Sequence, residues 1–456
     1  MLELKNKWLF FSLFIAVEIF FTTLFLFGFQ LYVFVFILIS LIILMLFSTN
    51  FAILIFLCAI IFIPTSGGYL YTGIELEIPQ KLIFFLYIIL ILSVFFEVLR
   101  GKKYKIFLTD FDKPILIFVF LIILSTIYSI LYSKNYIGFI YQDFQNMSFF
   151  GFFFIFINKF RENKDFRKWI FIFLVLSGVI VSLLYFFIVL LGLVPPGARI
   201  GTRRDTLLLF TIIYILTFML WDSSSKLRIT LIPMSILVII GIALSQSRSL
   251  WISSILCIFL LLVISLKKSR HKKIFTILLI FMLVIFAFLS FSFFTMGHQQ
   301  KLVSRFESIS QYNVQLSVVA RIVSYLKVVE QIKHHPILGN GLGTLTEYKF
   351  LNLNMKETWI DNVYLALWMK MGLIGLVLYL WIILLFLRKS FLIFKNSENV
   401  RYRIFGISTF ISILGYLLWS LTNAILLKYY YNFIFVIIIS LVAVIEEEIR
   451  IYESKN

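Results

Sequence analysis

The chain has 456 residues, 62% of them hydrophobic and only 14% charged, where soluble domains carry about a quarter. Its formal net charge is +19. A protein whose surface must be wetted cannot use so much apolar material, so soluble enzyme folds, nucleic-acid-binding modules and disordered scaffolds are excluded. The positive charge reads instead as basic loops beside membrane spans.

The predicted fold is an all-α polytopic transmembrane bundle. Apolar runs between polar breaks fall at 8–27, 31–47, 51–63, 81–99, 114–132, 145–158, 169–191, 206–221, 229–245, 249–266, 274–294, 362–387, 404–424 and 431–446. That is about 14 spans, or about 12 if 31–63 is re-entrant. Lys5 and Lys7 precede the first run, which lacks a small-residue cleavage site and reads as a retained span. Segments 1–7, 100–113, 159–168, 222–228, 267–273, 388–403 and 447–456 each hold two to five Lys and Arg. The positive-inside rule puts them in the cytoplasm with both termini. The chain then divides into N-terminal spans (1–294), one large external loop (295–361) and C-terminal spans with a tail (362–456).

Loops on a rigid scaffold tend to carry function, so the long loop holds the interest. Residues 318–335 have helical periodicity. Val318, Ile322, Tyr325, Val329 and Ile332 share one face, and Ala320, Ser324, Lys327, Gln331 and His334 fall away from it. This predicts an amphipathic helix, on the outer membrane surface or packed over the bundle, ending at Pro336. Gly339, Gly341 and Gly343 alternate just beyond. They make either a flexible turn or a backbone nest for a phosphate. At the end of the loop, Asp361 stands where a helix N-cap would, or where a general base toward a sugar hydroxyl would sit. Glu357 lies four residues earlier, one turn away if that segment is helical. Lys370 is about 13 Å further along the same helix.

Arg199, Arg203, Arg204, Arg248 and Arg321 all fall on the side that normally avoids basic residues. Any one of them could contact a lipid headgroup. Five together favour an anionic ligand, because guanidinium forks suit phosphate and diphosphate oxygens. No His/Cys pattern with metal-ligand spacing occurs, so neither a metal site nor a cofactor is expected.

Three stretches resemble the O-antigen ligase and O-antigen (capsule) polymerase family. They are the short turn Ser247-Arg248, then Arg321 with Tyr325 leading to His335-Pro336-Ile337-Leu338-Gly339-Asn340-Gly341, then Asp361-Asn362-Val363-Tyr364-Leu365 followed by Met371-Gly372-Leu373-Ile374-Gly375. Ligases of the family usually carry histidine where this chain has Asp361, and an acidic residue often stands where it has Lys370. The departure at 361 leans toward a repeat-unit polymerase over a ligase.

The resemblance implies a metal-independent glycosyltransferase of the cytoplasmic membrane. It would join polyprenyl-diphosphate-linked oligosaccharides at the outer face, among membrane lipids, with flippase and chain-length-regulator proteins as partners and no nucleic acid. Arg248, Arg321 and Asp361 would be catalytic. Arg199, Arg203, Arg204, His335, Gly339, Gly341, Glu357, Asn362, Tyr364 and Lys370 would bind substrate. The rival of another class is a lipid-linked oligosaccharide flippase. Such transporters show two similar halves, which this sequence lacks.

Overall fold

The computed structural model describes residues 42, 44–62, 78–105, 109–133, 135–191, 205–221, 225–245, 247–266, 312–350, 353–357, 360–423 and 428–454. The predicted spans 8–27 and 274–294, and most of 31–47, lie outside them. The described residues fall into two compact units, divided between Lys103 and Tyr104.

In the first unit, α1 (Thr49–Phe62) packs on α2 (Ile78–Leu99). A buried hydroxyl pair, Thr49 and Ser93 at 3.0 Å, links them.

The second unit contains α3 (Asp112–Tyr128, continued by a π turn to Ser133), α4 (Ile137–Ser148), α5 (Phe153–Glu162), α6 (Lys164–Leu190), α7 (Asp205–Trp221), α8 (Ser225–Leu244) and α9 (Arg248–Leu266). Then come α10 (Tyr312–His334), a hairpin of β1 (Thr346–Phe350) and β2 (Leu353–Glu357), α11 (Val363–Asn396), α12 (Val400–Ser420) and α13 (Tyr429–Glu453). The architecture is the expected all-α membrane bundle. Residues 112–133, α6, α11 and α12 are long and apolar enough to cross a membrane, while α1, α7, α8 and α9 are apolar but shorter. Asparagines start several helices: Asn163 Oδ1 accepts from Phe166 N–H, and the Asn399 side chain accepts from Arg401 N–H. Each satisfies one of the donors that a helix start leaves unpaired.

Two elements differ from the sequence reading. The predicted span 145–158 is not one helix. It crosses the end of α4, a 3₁₀ turn at Phe149–Phe152, and α5. Aromatic packing accompanies the break. Phe149, Phe152 and Phe156 surround Phe433 at ring distances of 5.7, 6.0 and 5.3 Å, and Phe150 meets Phe118 edge-on at 5.0 Å. The second difference is the antiparallel hairpin β1–β2, paired from Thr346–Glu357 to Phe350–Leu353. Residue 357 therefore ends a strand, and the helical spacing that would bring Glu357 beside Asp361 is absent.

Helix α11 is the spine of this unit and packs against α3, α10, α12 and α13. Charged groups gather toward its two ends. At its later part, Lys389 pairs with Asp110 at 2.5 Å and with Glu446 at 2.8 Å. On the neighbouring helices Arg161 pairs with Glu447, and Arg167 meets Glu448 at 2.9 Å. The beginning of α11 carries the candidate site.

Candidate functional site

Helix α11 starts at Asn362, whose Oδ1 accepts from Tyr364 N–H (3.0 Å) and Leu365 N–H (3.1 Å). The N-cap is thus Asn362. The Asp361 side chain does not cap. It accepts from Arg321 Nε at 3.0 Å. Both partners are about half exposed, at 47% for Arg321 and 45% for Asp361. Two of the three expected catalytic side chains, 40 positions apart in sequence, meet at the rim. Tyr325, one turn along α10 from Arg321, lies against the pair. Burial raises its phenol above the ordinary value and the Asp361 charge adds to that, while Arg321 opposes it. Tyr364 turns away and donates to the Leu417 carbonyl of α12 at 3.1 Å.

Below the rim, α11 is broken. Gly372 has φ +68° and ψ −175° in the middle of the helix. A continuous helix would pair the N–H groups of Leu373 and Ile374 with the carbonyls of Met369 and Lys370. Here they go to Pro336 O (2.9 Å) and Ile337 O (3.5 Å), while Asn340 N–H and Gly341 N–H take the Met369 and Lys370 carbonyls at 2.8 and 3.0 Å. The glycine turn and the helix have exchanged hydrogen bonds. Met369 and Lys370 are buried residues, and a carbonyl of either left unmet there would cost about 1–3 kcal/mol. The exchange needs close backbones. A Cβ on Gly339 would come within 2.6 Å of Lys370 O, and Gly339 itself has φ +78°.

The turn's N–H groups therefore point inward. Gly339 N–H goes to His335 O at 2.9 Å, and Gly343 N–H to Asp143 Oδ2 at 2.7 Å. The turn is neither loose nor an open nest: it is locked into the bundle. Asn135 reinforces it by reaching Leu342 O (2.9 Å) and Thr344 Oγ1 (3.2 Å). Asn340 Nδ2 reaches Gln331 O at 3.0 Å, which ties the turn to α10. The His335 side chain is exposed beside it.

Lys370 is fully buried. Its Nζ lies 2.7 and 2.6 Å from the two Asp143 carboxylate oxygens, with side-chain exposures of 1% and 6%. Sequence reasoning missed Asp143 altogether. Its one signal was the polar string Gln142-Asp143 and Gln145-Asn146 inside a phenylalanine-rich run.

Helix α10 packs on protein by only part of the apolar face that its periodicity marks. Ser324, Val328 and Ile332 are buried, whereas Ile322 and Val329 are 49% and 39% exposed. The hairpin causes this. Gln331 Nε2 donates to Leu345 O at 2.8 Å and Thr346 Oγ1 lies 3.3 Å from Gln331 Oε1, so a polar line of α10 faces protein. The stripe Val319, Ile322, Leu326, Val329 is left outside.

Arg248 is the first residue of α9. Its side chain, that of Glu357, and all of Arg199, Arg203 and Arg204 lie outside what is described.

Arg321, the glycine turn, Asp361 and Lys370 all sit in one contiguous part of the sequence, and that part matches a known family. Residues 233–380 match the O-antigen ligase family. The ligase-family segment runs from within α8 to the middle of α11, so it contains both members of the Arg321–Asp361 pair and the broken helix. It leaves out Asn135 and Asp143, which reach into it from α4 and the residues just before it. No curated protein matches the chain. The family match, with helices suited to crossing a membrane, supports a membrane protein of the O-antigen ligase and polymerase type.

Proposed function

We propose that the protein is a polysaccharide polymerase. It joins polyprenyl-diphosphate-linked oligosaccharide units at the outer face of the cytoplasmic membrane, with both termini in the cytoplasm. The Arg321–Asp361 pair carries this reading. It puts an anion-binding group and a proton acceptor in contact at an exposed rim, inside the ligase-family segment.

The donor diphosphate competes with Asp361 for the Arg321 guanidinium, which offers a planar fork suited to phosphate oxygens. Once displaced, the Asp361 carboxylate is free to accept the proton of an acceptor sugar hydroxyl. The acceptor oxygen forms a bond to the anomeric carbon, and the bond from that carbon to the diphosphate oxygen breaks. The leaving polyprenyl diphosphate keeps the electron pair, and Arg321 stabilises the charge that develops on it. Arg248, at the start of α9, is the second clamp in this scheme, and Arg199, Arg203 and Arg204 draw the donor in. Neither a metal nor a cofactor has a step. A flippase would supply the donor and a chain-length regulator would set product size. The aspartate at 361, where ligases usually carry histidine, favours a polymerase over a ligase.

The test is incubation of the purified protein with a defined polyprenyl-diphosphate oligosaccharide, read by gel and mass analysis. A ladder of products is expected. Transfer to a different acceptor only would make the protein a ligase. Leaflet exchange of labelled donor without any new glycosidic bond would make it a transporter.

A further inference from the structure

Asp143 contributes a carboxylate from outside the ligase-family segment to the base of the site. It accepts three hydrogen bonds from two donors: Lys370 Nζ at both oxygens and Gly343 N–H at one. Lys370 is held through its backbone as well. Its carbonyl accepts from Gly341 N–H at 3.0 Å and from Ser125 Oγ at 3.4 Å. One buried ion pair thus joins α4, the glycine turn and residues 363–371 of α11, the short segment before the break. That segment starts beside Asp361. Through Asn340 and Gln331 the turn is joined in turn to α10, which carries Arg321.

A buried ion pair is a poor way to gain stability, since desolvating two charges offsets their attraction and an apolar pair of equal volume often does as well. What it supplies is a directional link that an apolar contact would not. Loss of that link lets residues 363–371 shift against α10.

We infer that Asp143 is a positioning residue: with Lys370 it fixes the α11 segment that carries Asp361 in register with Arg321 on α10. This rests on the reading of Arg321 and Asp361 as the reacting site. It assigns Lys370 to holding that site rather than to contacting substrate.

The test uses the full chain in detergent or nanodiscs. The double variant Asp143→Leu/Lys370→Met removes both charges and keeps the volume filled. The conservative variant Asp143→Glu keeps the pair. The first readout needs no activity. Cysteines placed at 321 and 361 are bridged by a short bis-thiosulfonate linker. The native Cys58 and Cys257 are buried and stay in place. Bridging should slow about five-fold or more in the double variant, while the melting temperature stays within a few degrees of the wild type. The second readout is glycan transfer. The double variant should lose on the order of 10- to 100-fold in kcat, the scale of a small misplacement, with KM for the donor changed less than about three-fold. Asp143→Glu should recover most of it.

Wild-type bridging rate and kcat in a stable double variant would make the pair a mere core contact and overturn the proposal. If the double variant does not fold, Asp143→Asn/Lys370→Met takes its place, since it leaves no buried charge and keeps an acceptor for Gly343 N–H, with slowed bridging expected and an unchanged rate again overturning it. A wild-type chain that transfers no glycan would sink the proposed function and leave the bridging result to decide on Asp143.

Discussion

A guanidinium and a carboxylate that meet at a wet surface gain about 0.2–1 kcal/mol. The Arg321–Asp361 pair, about half exposed on both sides, belongs to that class. It is weak enough for a diphosphate, which carries more charge than one carboxylate, to open it. This gives a signed prediction. Asp361→Asn removes the competitor for Arg321, so binding of polyprenyl diphosphate should tighten, by about two- to five-fold. Glycan transfer should fall by on the order of 10²- to 10⁴-fold with the base gone. Arg321→Ala should weaken binding and transfer together. Fluorescence titration of labelled lipid diphosphate against each variant separates the cases, and weaker binding by Asp361→Asn would remove the competition idea. At this scale the sequence was informative where a residue was out of place. Arg321 stood out as a cation on the side that avoids cations, and Asp361 as an acid at the mouth of an apolar run. Asp143 offered only the polar string around it, because its partner lies 227 positions away and no local period joins the two.

The broken helix is the element that makes the site. Gly372 is the residue it depends on. Its φ of +68° lies in the left-handed region, and a Cβ there would fall on the Ile337 carbonyl. Gly372→Ala should therefore cost strain as well as a clash, together about 2–4 kcal/mol. A thermal melt of the purified variant should show the transition several degrees lower, and transfer should fall with it, because the turn can no longer exchange hydrogen bonds with Met369 and Lys370. An unchanged melt would mean that the helix can close over the glycine. Most element positions were legible beforehand, since apolar runs and their polar breaks mark where helices start and stop. Helix α10 ends before Pro336, as the sequence requires. The contacts of α10 were legible in part. Its period left open the membrane surface or the bundle; Ile322 and Val329 stand exposed while Ile332 is buried, and Gln331, from the polar side, meets Thr346 of the hairpin. The hairpin was hidden as well, being ten paired residues within a loop that carries no strong alternation.

Among the described residues of the second unit, charge gathers toward the two ends of α11. Lys370 and Lys389 lie 19 positions apart on α11, about 28 Å at the helical rise, close to the roughly 30 Å of a bilayer's hydrocarbon core. The layer at Lys389 sets Asp110 and three carboxylates of α13, Glu446, Glu447 and Glu448, against basic residues of α5, α6 and α11, and its titration follows from its pairing. The hydrogen bond from Lys389 to Asp110 holds that carboxyl below its ordinary value, although partial burial opposes it. Burial pushes Glu448 up, but Arg167, Lys164 and Tyr402 outweigh it and the net shift is also downward. Carboxyls depressed in the folded state contribute stability that is present above their unfolded values and is lost as pH falls through the folded ones. The protein should therefore melt at a nearly constant temperature from neutral pH down to about 5, and at falling temperatures below about 4. Asp110→Asn and Glu448→Gln, measured side by side with the wild type, should each flatten that acid slope while lowering the melting temperature at pH 7. Asp110 is 50% exposed and Glu448 27%, so solvent screens the former more, and Glu448→Gln should have the larger effect. An acid slope untouched by either substitution would place the acid-sensitive carboxyls elsewhere in the chain and leave this layer as packing alone.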